Sequence, residues 1–193
     1  MPASRKFPAV VILALIILFA PATGSAAYLI HLTLEEMTAQ SQAILLGRCV
    51  QVTSAWNAAH SDIVTNSVFE VSQYYKGSLG KRVTITELGG QVGEWVSEYT
   101  GIPRFQAGEE AVLFVWTGPD GAHQVIGLTQ GKFRVQRSGA GAGVQLSQTP
   151  SVHPPLEPPQ HNHTEAAAPM VLPLAVLQDR VQLMLAKPAG GAR

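Results

Sequence analysis

Residues 83–115 read VTITELGGQVGEWVSEYTGIPRFQAGEEAVLFV and carry most of the information about the fold. The first four residues alternate apolar side chains with threonine, which is typical of a strand with one buried face. Gly89 and Gly90 then permit a bend or bulge that a residue with a Cβ would resist. The run 111–115 is apolar throughout, which favours a strand buried on both faces. A compact β-domain is therefore predicted around this stretch.

Further strands are predicted on both sides of it, at residues 43–53, 63–75 and 132–136. Gly47 interrupts the alternation of the first of these, which predicts a β-bulge there. The TGPDG sequence at 117–121 is a strong hairpin signal. Short connections between five or six strands indicate an antiparallel barrel or sandwich. We expect a mainly β fold, a five- to six-stranded antiparallel OB-like barrel spanning residues 28–137.

A helix is expected before and after this barrel. Residues 32–42 begin with a capping-box pattern, because Thr33 is followed three residues later by Glu36. Residues 174–187 have the apolar spacing of an amphipathic helix, and the tail to residue 193 should fray. The intervening segment 138–173 is rich in glycine, proline and histidine, so it is predicted to be a disordered, flexible linker.

The first 27 residues have the order of a secretory signal peptide. Arg5 and Lys6 precede an apolar run, 9–20, and small residues follow it up to Ala27. The apolar run is 12 residues long, whereas a membrane span needs about 20. We therefore expect cleavage and a secreted or periplasmic protein with no membrane span. An uncleaved signal that tethers the chain to the membrane is the alternative.

Charge and cysteine content exclude some classes of protein. Removing residues 1–27 leaves 11 of the 13 Lys and Arg against all 13 Asp and Glu, which is not the basic balance of a nucleic-acid-binding protein. The single cysteine, Cys49, cannot form an internal disulfide. Its place in a predicted strand indicates a buried, unreactive thiol.

An ordered set of motifs carries a resemblance that covers residues 32–135. A short helix is followed by ILLGRCVQV, a long strand that ends in YYKG, VTITELGG, PRFQAGEEAVLFV and GLTQGKFRV. The set resembles secreted bacterial proteins of unassigned function, whose expected barrel is similar to the OB-type barrel of netrin-like modules, including the tissue inhibitors of metalloproteinases. Those inhibitors chelate zinc through an N-terminal cysteine, and Ala27 and Tyr28 offer no such ligand here. The resemblance therefore implies a fold and no activity.

No catalytic motif is present: the chain has no G-x-S-x-G elbow, no phosphate-binding glycine loop and no H-E-x-x-H. Neither an enzymatic activity nor a cofactor is predicted. The residue types enriched in binding hot spots occur in the central stretch and in the last strand. These candidate binding residues are Trp95, Tyr99, Arg104, Lys132 and Arg134. The alternative is that the aromatic residues close the barrel and that Arg104 pairs with a glutamate.

His161, His163 and Glu165 have side chains that suit zinc, copper or nickel. A proline-rich linker does not fix their geometry, so they are a weak candidate for a metal site. Three functions follow from the sequence. The first is an exported, non-enzymatic β-barrel module that binds a secreted or envelope protein, or another envelope component, through its loops. The alternatives are an exported hydrolase, or an accessory domain of one, with an unrecognised site, and a metal-handling protein that uses the histidine-rich tail.

Overall fold

The computed structural model describes residues 31–137, 143–148 and 170–187. The predicted signal peptide, residues 1–27, lies outside the described residues. Helix α1 (Leu34–Gln40) starts at the predicted capping box: Thr33 Oγ1 accepts a hydrogen bond from the Glu36 backbone, and Glu36 Oε2 accepts one from the Thr33 backbone at 2.8 Å. These reciprocal bonds satisfy two donors at the start of the helix that have no partner inside it.

Ten strands and a second helix follow in chain order. They are β1 (Ala43–Trp56), β2 (Ile63–Lys76), β3 (Arg82–Leu88), β4 (Gly90–Val92), β5 (Trp95–Ser97), β6 (Glu110–Thr117), β7 (His123–Val125), β8 (Lys132–Arg137), β9 (Val144–Gln148), β10 (Val171–Pro173) and α2 (Leu174–Ala186). A 3-10 turn, Leu128–Gly131, separates β7 from β8.

Five of these strands close a barrel in the order β1-β2-β3-β7-β6, with β6 pairing back onto β1. The neighbours are antiparallel except β3 and β7, which are parallel and meet at one pair, Ile85 and His123. Strands β8, β9 and β10 extend the sheet from β6, and β4 and β5 form a separate hairpin. The prediction of a mainly β fold with a closed barrel and two helices is confirmed.

Strand β6 explains why residues 111–115 are apolar throughout, because all five are buried. Ala111, Leu113 and Val115 belong to the core inside the barrel, and Val112 and Phe114 belong to a second core outside it. The second core lies beneath the helices, where Met37 of α1 and Leu177 and Val181 of α2 are buried. The predicted strand with two apolar faces therefore separates two cores.

Two strands lie within residues 138–173, the range predicted to be a linker. Strand β9 pairs with β8, and β10 pairs with β9. The physical reason is Leu146, which is fully buried in the outer core. The described parts of this range therefore belong to the sheet, and its remaining residues lie outside the described chain.

Strand β1 has the bulge predicted from its glycine. Its register against β2 shifts between Leu46 and Gly47, where a Cβ would lie 2.9 Å from the carbonyl oxygen of Glu70. Cys49 follows and is fully buried, and burial raises the pKa of its thiol. The prediction of a buried cysteine is confirmed. Neither described helix is both long and apolar enough to cross a membrane.

Candidate binding site at the polar end of the barrel

The barrel interior changes from apolar to polar along its length. At one end, side chains such as Phe69 and Ile85 form the inner core. Farther along the same faces of β2 and β3, the buried residues are Thr65, Ser67 and Glu87. One end of the barrel interior is therefore an apolar core, and the other end is lined by buried polar side chains.

A cavity of about 260 Å³ occupies the polar end. Strands β1 to β3 line it with small and polar side chains, and the β4–β5 hairpin and residues 103–105 cover it. Ser54 Oγ and Thr65 Oγ1 lie 2.9 Å apart, and Thr65 Oγ1 donates to the carbonyl oxygen of Gly89 at 2.6 Å. These bonds hold the hydroxyl groups in place on the wall of the cavity.

Glu87 forms the floor of the cavity, with 5% of its surface exposed. Its Oε1 accepts a hydrogen bond from the Val125 backbone at 2.8 Å. Burial raises the pKa of this carboxyl to about 7, against smaller opposing effects of the Val125 bond and the Arg104 charge. Glu87 is therefore able to exchange a proton near neutral pH, which is a property concentrated at functional sites.

Gly90 allows the β4–β5 hairpin to close over this cavity. Its φ is +143°, and a Cβ at this position would lie 2.4 Å from Ser54 Oγ and from Thr65 Oγ1. A side chain here would force the hairpin away from the barrel, so glycine is required by both conformation and space. The bend that the glycine pair predicted is the point at which the hairpin meets the barrel.

The tip of this hairpin carries exposed apolar side chains. Trp95 is 68% exposed and Val96 is 60% exposed. The ring centroids of Trp95 and Trp56 lie 6.0 Å apart in an edge-on arrangement, and those of Trp56 and His60 lie 6.1 Å apart in a stacked one. Trp95 therefore does not close the barrel. It forms a small aromatic surface beside the cavity.

A hydrogen-bonded cluster fixes the base of the hairpin to the β1–β2 loop. Tyr99 donates its hydroxyl to Asp62 Oδ2 at 2.5 Å, and Ser97 Oγ lies 3.2 Å from Asp62 Oδ1. The Tyr99 bond is the main reason that the pKa of Asp62 is lowered, and the same bond raises the pKa of Tyr99. Tyr99 thus positions the hairpin, while its ring remains partly exposed.

Arg104 lines the cavity from its rim. The side chain is exposed, and its Nη1 donates to the carbonyl oxygen of Leu88 at 3.3 Å. None of the ion pairs within 4 Å among the described residues includes Arg104 or Glu87. Among the described residues, Arg104 therefore forms no ion pair with a glutamate, in contrast to the alternative derived from the sequence.

Lys132 and Arg134 lie in a different cluster. Lys132 is buried, its Nζ lies 2.8 Å from Glu109 Oε1 and 4.5 Å from the centre of the Phe105 ring, and it also donates to the carbonyl oxygen of Arg104. Burial lowers the pKa of Lys132, and the bond to Glu109 opposes this effect. Arg134 Nε lies 3.1 Å from the same glutamate oxygen. The structure therefore brings Trp95, Tyr99 and Arg104 together around the cavity and places the other two candidates at a buried ion pair.

The candidate metal ligands His161, His163 and Glu165 lie outside the described residues, so that interpretation stays a prediction. Within the described chain, no three His, Cys, Asp or Glu side chains are grouped so that they could hold a metal ion.

Glu87 is the functional candidate that sequence reasoning missed. A signal was present, since Glu87 has the same parity as Val83 and Ile85 in β3 and therefore shares their buried face. A carboxylate on the buried face of a strand is a departure from the pattern that marks a candidate site.

Comparison with protein-family models and with curated proteins finds no match for this chain. The function is therefore argued from the cavity and its aromatic rim.

Proposed function

We propose that this chain is an exported, non-enzymatic binding module that recognises another secreted or envelope protein through the hairpin end of its barrel. The observation that carries the proposal is the exposure of Trp95 and Val96 beside the polar cavity. Large apolar side chains that remain in water lower the free energy of association when a partner covers them.

The residue types at this end support a protein partner. Tryptophan, tyrosine and arginine are the side chains most enriched in binding hot spots, and Trp95, Tyr99 and Arg104 all lie on or beside the hairpin. Tyr99 and Ser97 hold the hairpin against the β1–β2 loop through Asp62. Because this anchoring restricts the hairpin before binding, association costs less conformational entropy.

The strand order supports the more specific proposal of an OB-type, netrin-like barrel. In β1-β2-β3-β7-β6, the last two strands are connected by a hairpin, and the sheet is closed by a parallel contact between β3 and β7. OB barrels commonly bind ligands through one face and its adjoining loops. The signal-like order of residues 1–27 supports a secreted or periplasmic location, with a membrane tether as the alternative.

The test is capture of partners from the envelope fraction of the native host by chemical crosslinking, with wild type and Trp95→Ala compared at equal concentration. We expect Trp95→Ala to lose the captured protein, because it removes the largest exposed apolar group of the hairpin. Leu183→Ala is the matched control, since Leu183 is 71% exposed on α2, away from the cavity. Equal capture by wild type and Trp95→Ala would contradict the proposal.

A hydrolase is the second candidate, and Glu87 is the observation that favours it. A carboxyl with a pKa of about 7 in a cavity is suited to general acid or base catalysis at neutral pH. The test is a panel of ester, peptide and glycoside substrates with wild type and Glu87→Gln. Turnover that the substitution abolishes would favour the enzyme, and equal turnover by the two proteins would exclude Glu87 from that role.

A further inference from the structure

The floor of the cavity presents a carboxylate oxygen that no described residue bonds. Glu87 Oε1 is occupied by the Val125 backbone, whereas Oε2 accepts no hydrogen bond from a described residue. Glu87 is 5% exposed, and it lines the cavity. Burial removes most of the hydration of this carboxylate, and the charge of Arg104 offsets only part of that cost, so a cation that enters the cavity gains a favourable interaction with it.

The charges around this oxygen favour a cation. Glu98 is a second carboxylate that lines the cavity, and Arg104 is the one basic residue that does so among the described residues. Arg104 is exposed at the rim and makes no ion pair with Glu87. Strands β1 and β2 contribute only uncharged side chains to the lining, and on β7 the group that faces Glu87 is the Val125 backbone N–H. The cavity therefore has more acidic than basic groups and is rich in oxygen acceptors.

The size and walls of the cavity fit one side chain. Its volume of about 260 Å³ is below the ~300–1,000 Å³ typical of sites for whole small molecules. Val52, Val96 and Phe105 provide apolar wall on the way to Glu87. An aliphatic stem packs well on such a wall while its charged end reaches the floor.

Lysine fits this floor better than arginine. A guanidinium binds a carboxylate most strongly through two parallel hydrogen bonds, one to each oxygen. Glu87 Oε1 already accepts the Val125 bond, so Oε2 is the oxygen without a bond from a described residue, and the paired geometry is less favourable. An ammonium is a compact charge with three rotatable donors, so it is able to bond to a single carboxylate oxygen and to hydroxyl groups such as that of Ser67.

We propose that the cavity receives a lysine side chain of the partner protein, whose ammonium group pairs with Glu87 Oε2 while the partner backbone rests on Trp95 and Val96. This inference rests on the proposed binding function and names the chemistry of the partner.

The pairing makes binding depend on pH. With a pKa of about 7, Glu87 is mostly protonated at pH 6 and mostly ionised at pH 8, whereas a lysine probe stays charged at both. An ammonium pairs with the ionised form, so binding releases the proton and strengthens as the pH rises. We expect the dissociation constant of a lysine probe to fall about tenfold between pH 6 and pH 8.

The experiment uses the full chain and two probes, acetyl-Ala-Lys-Ala-amide and the neutral acetyl-Ala-Gln-Ala-amide. Binding is followed by NMR at the backbone amide of Val125, which is bonded directly to Glu87. We expect the lysine probe alone to shift this amide, with the predicted dependence on pH. Glu87→Gln should abolish the response, and Glu94→Gln, an exposed hairpin residue outside the cavity lining, should preserve it.

Equal shifts with both probes, no shift with either, or an affinity independent of pH would overturn the inference. These results are separable from the Trp95→Ala capture test. If Trp95→Ala loses capture but the lysine probe does not bind, the lysine pocket is wrong and the proposed binding module is still supported. If the lysine probe binds but Trp95→Ala captures as much protein as wild type, the hairpin interface is wrong and the lysine-binding cavity is still supported.

Discussion

The carboxylates of Glu87 and Glu109 are both buried, but they differ in how many of their hydrogen-bond and charge partners lie within the protein. Glu109 receives the buried ammonium of Lys132 at 2.8 Å and the Arg134 guanidinium at 3.1 Å, and it also accepts a bond from the Gln106 backbone. Glu87 receives only one backbone N–H and has no cation within ion-pairing distance among the described residues. A carboxylate that is fully paired inside the protein contributes to the structure, whereas one left incomplete in a cavity is available to a ligand.

The largest expected effect tests the paired carboxylate. Lys132→Met removes the ammonium and leaves Glu109 buried without its main partner, which should lower the free energy of unfolding by about 3–5 kcal/mol. Urea denaturation measures the change. Arg134→Ala is the control, because Arg134 contacts the same oxygen but is 53% exposed, and an exposed pair contributes about 0–1 kcal/mol.

Adding Glu109→Gln to Lys132→Met should recover much of the loss, since no uncompensated charge then remains. If Lys132→Met costs less than about 1 kcal/mol, the ion pair does not hold this end of the barrel and the contrast with Glu87 fails.

The second prediction tests the incomplete carboxylate through pH. The pKa of Glu87 is raised in the folded protein from 4.5 to about 7, so between these values the folded state binds more protons than the unfolded state. This contribution to stability is complete below pH 4.5 and is lost as the pH rises to 7. Glu87→Gln cannot ionise and so avoids this loss. Its free energy of unfolding, relative to that of wild type, should therefore rise by up to about 3 kcal/mol as the pH increases from 4.5 to 7.

The measurement is the difference in unfolding free energy between wild type and variant in urea melts from pH 4 to pH 8. Taking the difference cancels the contributions of other carboxylates to the pH dependence of stability. Asp62 is one of these, and its lowered pKa gives the opposite dependence on pH. Glu94→Gln should show no such trend. A difference that does not vary with pH would mean that the pKa of Glu87 is the same in the folded and unfolded states, so that its burial is compensated in a way the cavity geometry does not provide.

The smallest expected effect concerns the hairpin rim. Trp95→Ala should change the free energy of unfolding by less than about 1 kcal/mol, because Trp95 is mostly exposed and, among the described residues, its ring packs only against Trp56, in an edge-on arrangement. Urea melts of the variant measure it. A cost above about 2 kcal/mol would place Trp95 among the residues that hold the fold, as Lys132 does, and would weaken the case for a binding surface.

Local pattern was enough to predict most of the fold. Alternation in residues 83–86, the doubly apolar run 111–115 and the capping box at Thr33 each depend on neighbours in sequence, and each is found in the structure. Strands β9 and β10 were not predicted. They are short, lie in glycine- and proline-rich surroundings, and are stabilised by pairing with each other across more than twenty residues. Such long-range pairing leaves little local signal.

The candidate site was only partly predictable for the same reason. Tyr99 and Arg104 were found because their residue types are common in binding surfaces, and the structure places both near the cavity. Lys132 was predicted as a binding residue, but it is buried in an ion pair with Glu109, which lies more than twenty residues away in sequence. Glu87 was overlooked because a glutamate in a strand normally faces water, although its parity with Val83 and Ile85 places it on the buried face of β3.

Alternate side chains of β6 belong to different cores, and this affects how the protein unfolds. Val112 and Leu113 are adjacent on one backbone, yet one packs beneath the helices and the other inside the barrel. Detaching the helices exposes one side of this strand to water and loosens the same hydrogen bonds that close the barrel. The two layers are therefore one cooperative unit, and hydrogen exchange at both amides should require complete opening of the protein, with the same free energy for neighbours that belong to different cores.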